Sequence, residues 1–233
     1  MMKLADYIHG FANLFFPNTC TGCDRLLNYR EDLICTDCWY NMPYTDFHLK
    51  VDNGTARQLW GKVRVEAAAS FVFFREESRV QRIMHHFKYR NTPRIGLIMG
   101  QRYGAILREV RHFAEVDIVI PVPLHPRKLQ KRGYNQSDSF AYGLSEAMGK
   151  PAWCDGLLRM KSGDSQTRKT RFERYQNMRG TFAVSQPERI ENRHVLLVDD
   201  VLTTGATIEA CAEALLAHKG VRVSVVTIAK AVS

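Results

Sequence analysis

Residues 196–207 read Leu-Leu-Val-Asp-Asp-Val-Leu-Thr-Thr-Gly-Ala-Thr, and the fold of the chain turns on how this run is read. Val195 to Val198 is continuously apolar, the pattern of a strand covered on both faces. Asp199 and Asp200 emerge at its tip. Two adjacent carboxylates repel one another, so they call for a partner, either hydroxyl groups or a cation carried in with a ligand. Thr203-Thr204-Gly205-Ala206-Thr207 then forms a small, hydroxyl-rich turn into a helix, with Ile208, Cys211, Ala212, Leu215 and Leu216 apolar and Gly220 as its stop. Gly205 permits close backbone approach, and the free N–H groups and positive dipole end of the helix favour an anion. Alone, each piece describes a polar strand end or a capped helix. In unbroken order they predict a pocket for a hydroxylated, anionic ligand. A Walker-type loop would carry a Lys after its glycine-rich turn, and that Lys is absent.

Working outward, Val116–Val122 is a second short apolar strand, followed by a basic loop and a helix over about 138–148. Arg222 to Ala229 is another strand, and Val65 to Phe74 an earlier one, with Ala67, Ala69, Phe71 and Phe73 on one face. Ser78 caps a helix with Val80, Ile83, Met84 and Phe87 at a 3.6-residue period. A further helix begins near Pro93 and turns Ile95, Ile98, Met99, Tyr103, Ile106 and Leu107 inward. Apolar strands alternating with amphipathic helices specify an α/β fold with a mostly parallel sheet. In such sheets ligands bind beyond the carboxyl ends of the strands, which is where Asp199 and Asp200 fall.

Four of the six cysteines form two Cys-x2-Cys pairs, Cys20/Cys23 and Cys35/Cys38. Four thiolates brought together from two turns favour a structural zinc ion with no open coordination position; a [4Fe–4S] cluster has the same ligand requirement. Gly22 allows the tight turn of a knuckle. Cys211 lies on an apolar helix face and reads as core packing. The chain of 233 residues thus divides into a front module at 1–45, polar and turn-rich sequence over 41–62, and an α/β domain over 60–233.

No apolar run approaches the roughly 20 residues of a membrane span. Leu4, Tyr7, Ile8, Phe11, Leu14 and Phe15 have helical spacing ending at Pro17, but Asp6, His9, Gly10 and Asn13 interrupt them as a signal-peptide core would not allow. A cytoplasmic protein is expected. Its net charge of +9 is concentrated: between His125 and Gly180, twelve Lys/Arg face five acids. Such a surplus implies an anionic partner, a phosphate-bearing ligand or nucleic acid. Tyr134, Phe172 and Tyr175 interleave with these cations, as single-stranded nucleic acid would require. Gly163 and Ser165 precede a stretch with Arg168, Lys169, Arg171 and Arg174, read as a mobile basic loop that could close over the pocket.

The run 196–207 resembles the signature of type I phosphoribosyltransferases. The resemblance implies that Asp199 and Asp200 are the catalytic pair holding the ribose 2′ and 3′ hydroxyls. Thr203, Thr204, Gly205, Ala206 and Thr207 would bind the 5′-phosphate. The family's pyrophosphate loop maps to Leu124, His125, Pro126 and Arg127, with Arg132 a further candidate, and guanidinium groups suit a polyphosphate. Together with the four cysteines, Pro121-Val-Pro-Leu124, Arg132-Gly-Tyr-Asn-Gln136, Gln166-Thr-Arg168, Arg174 and Asn177, this arrangement is similar to the ComF family from about Phe16 to Lys230. That resemblance implies a zinc finger on a phosphoribosyltransferase domain that binds phosphoribosyl pyrophosphate or a nucleotide with Mg2+ and serves natural competence, the uptake of transforming DNA. Single-stranded DNA and other competence proteins, such as a DNA-translocating helicase, are the implied partners. Purine-using relatives carry an acid where this chain has Thr203, so a general base for a purine is missing from that place. No segment reads as a nucleobase hood. Enzyme and non-catalytic nucleotide sensor both remain open.

Overall fold

The computed structural model describes residues 18–160 and 181–232. The helix expected before Pro17, and the basic stretch with Arg168, Lys169, Arg171 and Arg174, lie outside these residues. Among the described residues no helix is long and apolar enough to cross a membrane.

Four strands, β1 (Ala68–Phe74), β2 (Ile118–Pro121), β3 (His194–Leu202) and β4 (Arg222–Ala231), form one sheet in the order β1-β4-β3-β2, every neighbour parallel. The alternation along β3 shows why both faces are covered. Leu196 and Val198 enter one apolar layer with the helices Arg79–Tyr89 (α1), Arg94–Leu107 (α2) and Gln136–Met148 (α3). Val195 and Leu197 enter the other with the helix Ala206–Leu216 (α4). Ser78 caps α1 by accepting the Gln81 N–H, and Val80, Ile83, Met84 and Phe87 are buried as their spacing predicts. Leu157–Arg159 and Phe182–Val184 pair as a separate antiparallel ribbon.

Several boundaries differ from the sequence reading. β3 does not end at Val198 but runs through the acid pair to Leu202, because pairing to β4 continues from Asp199 opposite Thr227 to Leu202 opposite Lys230. The basic loop after β2 is a helix, Pro126–Arg132 (α5), whose first turn His125 caps by accepting the Arg127 N–H at 3.2 Å. Helix α3 starts at Gln136, two residues earlier than the apolar pattern indicates, because the Asn135 side chain accepts the Ser137 N–H. The polar stretch 41–62 contains a further helix, Gly54–Leu59 (α6), capped by Asn53.

Ile106 is not an inward residue of α2; it is 37% exposed. The inward ridge instead includes Gly96, Gly100 and Gly104, which let α2 and α3 approach backbone to backbone. A Cβ on Gly143 of α3 would stand 2.2 Å from the Leu97 carbonyl oxygen, and one on Gly100 would stand 2.4 Å from the Phe140 oxygen. Gly143→Ala must therefore separate the two helices. It is expected to cost about 1–3 kcal/mol, a fall of several degrees in thermal midpoint in a calorimetric scan. An unchanged midpoint would show that the contact yields freely.

Candidate functional site

Beyond the carboxyl ends of β2 and β3 lies a cleft of about 360 Å³. Its walls include Asp199 and Asp200 from β3, Thr203 and Thr207 from the following turn, and Leu124 and His125 from the loop after β2. The two halves of the predicted pocket thus share one cavity. Arg132 also lines it. Pro126 and Arg127 are exposed and do not line the cleft; Lys128 does. Helical geometry explains the exchange, since Lys128 and Arg132 are four residues apart on one face of α5 while Arg127 is turned about 100° away. Arg159 at the end of its ribbon adds another cation, its guanidinium 5.2 Å from the Phe182 ring centre.

The acid pair is held from two sides. Asp200 Oδ2 is 2.9 Å from Lys88 Nζ of α1, with the two side chains only 16% and 22% exposed. Asp199 Oδ1 accepts from Ser137 Oγ at 2.9 Å and from the Asp200 N–H at 2.8 Å. Burial, reinforced by the adjacent Asp200 charge, pushes the Asp199 carboxyl up to about 7. Lys88, Lys128, Ser137 and Arg159 were not candidates from sequence. A cation in the last turn of an amphipathic helix, as Lys88 is, ordinarily serves the helix dipole and gives no hint of a distant carboxylate.

At the turn after β3 the first helical amide, Ala206 N–H, meets the Thr204 hydroxyl at 3.4 Å. Gly205 adopts φ +83° at the cap position of α4 and brings no side chain of its own to the first turn. Residues 203–207 surround a small concavity of about 30 Å³ into which Asp199 also faces. Behind the turn, the Gln58 amide donates to the Thr203 carbonyl, Lys62 Nζ donates to the Thr204 carbonyl at 2.8 Å, and Lys230 Nζ donates to Gln58 Oε1 at 2.6 Å. Two carbonyls of the turn are thus held by side-chain donors, and a turn opening a helix has the polarity an anion needs.

The four front cysteines come together with every sulfur within 4.8 Å of the others. Cys20 and Cys38 sulfurs are 3.6 Å apart, and those of Cys23 and Cys35 3.7 Å. These separations are far beyond the roughly 2.05 Å of a disulfide and match the edge, about 3.8 Å, of a tetrahedron with 2.3 Å metal–sulfur bonds. The Gly22 and Cys35 N–H groups donate to Cys20 Sγ at 3.4 and 3.2 Å, and Arg25 Nη2 to Cys35 Sγ at 3.4 Å, so excess thiolate charge is met by donors. The donor set fits a structural zinc finger. It is no separate body: Cys20, Cys35 and Cys38 share an apolar cluster with Val80, Ile83 and Met84, and Arg79 bonds Asp37 at 2.8 Å.

The strand-tip acids, the turn that opens α4 and the parallel sheet define the class: this is a phosphoribosyltransferase-type α/β domain. The family model for the phosphoribosyl transferase domain matches residues 140–233. Competence protein F of Haemophilus influenzae is 31% identical over 138 residues, 57% of this chain and 60% of its own length. DNA utilization protein YhgH of Escherichia coli K12 is 28% identical over 61% of this chain and 63% of its own, and competence protein ComFC of Bacillus subtilis 28% over 61% and 55%. By these matches the chain is similar to ComF-family proteins. It spans about 55–63% of the length of these curated relatives. Among solved structures, the glutamine phosphoribosylpyrophosphate amidotransferase of B. subtilis, complexed with ADP and GMP, is 22% identical, with a TM-score of 0.41 over 60% of this chain and 30% of its own.

Proposed function

We propose that the cleft binds a ribose carrying a 5′-phosphate, phosphoribosyl pyrophosphate above all, and that the protein uses it in the handling of transforming DNA. The observation that carries this reading is the shared cavity of Asp199, Asp200 and the Thr203–Thr207 turn. Asp199 and Asp200 would accept from the ribose hydroxyls, and the amides at the start of α4 would take the 5′-phosphate. Lys128, Arg132 and His125 line the wall where the pyrophosphate would lie. Hard carboxylate oxygens beside a polyphosphate suit Mg2+, which would enter with the ligand and neutralise the leaving group. Phosphoribosyl transfer breaks the C1–pyrophosphate bond, and these side chains would fix the sugar and the departing anion. The relatives' names, competence and DNA utilization, support placing this chemistry in DNA uptake.

Isothermal titration with phosphoribosyl pyrophosphate and Mg2+ is expected to show saturable binding. Asp200→Asn should weaken it about 10- to 100-fold, the loss of a charge-assisted hydrogen bond. No binding, or equal binding by the variant, overturns the proposal. With mixed acceptors present, pyrophosphate release identifies a transferase; tight binding without release identifies a sensor, the reading that Thr203 in place of a base favours.

A further inference from the structure

We propose that Lys88 is the built-in counter-ion of the acid pair: its ammonium takes the place of a divalent metal ion at Asp200, so the carboxylates receive ribose hydroxyls with no metal bound between them. Lys88 Nζ stands 2.9 Å from Asp200 Oδ2, and both side chains are mostly covered. Lys88, Lys128, Arg132 and Arg159 all line the cleft, yet among the described residues Lys88 alone of these pairs with an acid. A half-buried carboxylate pair needs positive charge close by, and this ammonium supplies it from within the fold.

The neighbours of Lys88 in sequence fix where its stem starts. Phe87 is fully buried, and its carbonyl accepts from the Tyr134 hydroxyl. The Tyr89 ring centre lies 5.3 Å from the Arg132 guanidinium. Lys88 thus sits between two anchored residues in the last turn of α1.

The carboxylate oxygens show the consequence. Asp199 Oδ1 accepts from Ser137 Oγ and the Asp200 N–H, and Asp200 Oδ2 faces Lys88. Among the described residues no donor bonds Asp199 Oδ2 or Asp200 Oδ1, which leaves one oxygen for each of two vicinal hydroxyls. A divalent ion prefers several oxygen ligands at once; Lys88 occupies one of them, and its charge repels the ion. Mg2+ arriving with a polyphosphate would then be held by phosphate oxygens. Lys88 also opposes the rise that burial and the Asp200 charge impose on the Asp199 carboxyl. The inference deepens the sugar-phosphate reading and rests on it for the ligand, but exclusion of metal is measured without any sugar.

Mn2+ alone is titrated into the intact protein, and the free ion is read by electron paramagnetic resonance. This hard ion avoids the four thiolates, so its binding reports oxygen sites. The parent is expected to show no Mn2+ site that Asp200→Asn removes. Lys88→Met, similar in length and uncharged, should gain a site about 10-fold tighter than any in the parent, and adding Asp200→Asn should abolish it. Lys88→Arg keeps the charge and should exclude the ion as the parent does, even if Lys88→Met folds poorly. An Asp200-dependent Mn2+ site in the parent or in Lys88→Arg overturns the proposal, as does a folded Lys88→Met that binds no more Mn2+ than the parent. In a second arm, the parent should bind ribose 5-phosphate equally with and without Mg2+, whereas Lys88→Met should bind it about 10-fold more weakly unless Mg2+ is added. Parent binding that requires Mg2+ also overturns the proposal. If no variant binds the sugar phosphate, the sugar-phosphate reading fails, while the expected Mn2+ pattern would still uphold Lys88 as the counter-ion.

Discussion

Cys38→Ser is expected to release zinc and to lower the thermal midpoint of the whole protein by roughly 10 °C or more. Structural zinc contributes about 10 kcal/mol or more to the small modules it folds, and a chain of this size loses about 2–4 °C per kcal/mol. The loss would spread because the cysteine module has no core of its own. Cys38 is buried in the layer that contains Val80, Ile83 and Met84 of α1, and a Cβ on Gly22 would stand 3.0 Å from Cys38 Sγ and 3.3 Å from Ile83 Cδ1. Helix α1 in turn carries Lys88 to Asp200. Loosening the module should thus weaken the proposed sugar-phosphate binding through Lys88, 50 positions after Cys38, although no cysteine lines the cleft. Metal stoichiometry and a calorimetric scan check the prediction. A variant that keeps its midpoint would show the metal to be dispensable, and an iron-loaded brown protein would replace zinc with a cluster.

The contrast between what was and was not legible in the sequence has a physical basis. The acid pair, the turn and the four cysteines are local patterns, in which the chemistry and the covalent spacing coincide. Ser78 and the apolar stripe of α1 were legible for the same reason. Lys88, Ser137 and Arg159 reach the cleft from three different elements, and only tertiary packing brings them within bonding distance of Asp199 and Asp200 or into the same wall. Gln58 and Lys62 are 145 and 142 positions from the carbonyls they hold. Helix α5 has no apolar periodicity to mark it, because it buries nothing and its Leu129 is exposed. The glycines of α2 and α3 were silent because close helix approach is a property of two helices together. Conversely, β3 was cut short because charged residues ordinarily end a buried strand, whereas here the ladder to β4 sustains it past the acids.

Asp199→Asn is expected to stabilise the protein in mildly alkaline solution while abolishing tight ligand binding. Folding raises the Asp199 carboxyl from 3.8 to about 7, chiefly by burial and then by the Asp200 charge. A raised acid favours the folded state while it holds its proton. That contribution is fully present below about pH 4 and is lost as pH rises through 7. Asn imitates the protonated acid at every pH, so variant and parent should agree near pH 4 and diverge through neutrality. Above pH 8 the variant should be the more stable of the two. Ser137 Oγ can still donate to the remaining amide oxygen, so the substitution removes charge without emptying the site. Chemical denaturation across this pH range reads the effect, and a gap that narrows with rising pH would contradict it. Such a result has a functional meaning beyond the single residue. A carboxyl kept in an environment that resists its charge is stabilised by hydroxyl donors or a cation from outside, and the proposed ribose would supply the first. Ligand should therefore stabilise the parent more than Asp199→Asn, and more at pH 8 than at pH 5. The energy the fold gives up by burying Asp199 beside Asp200 would then be available to the proposed sugar ligand.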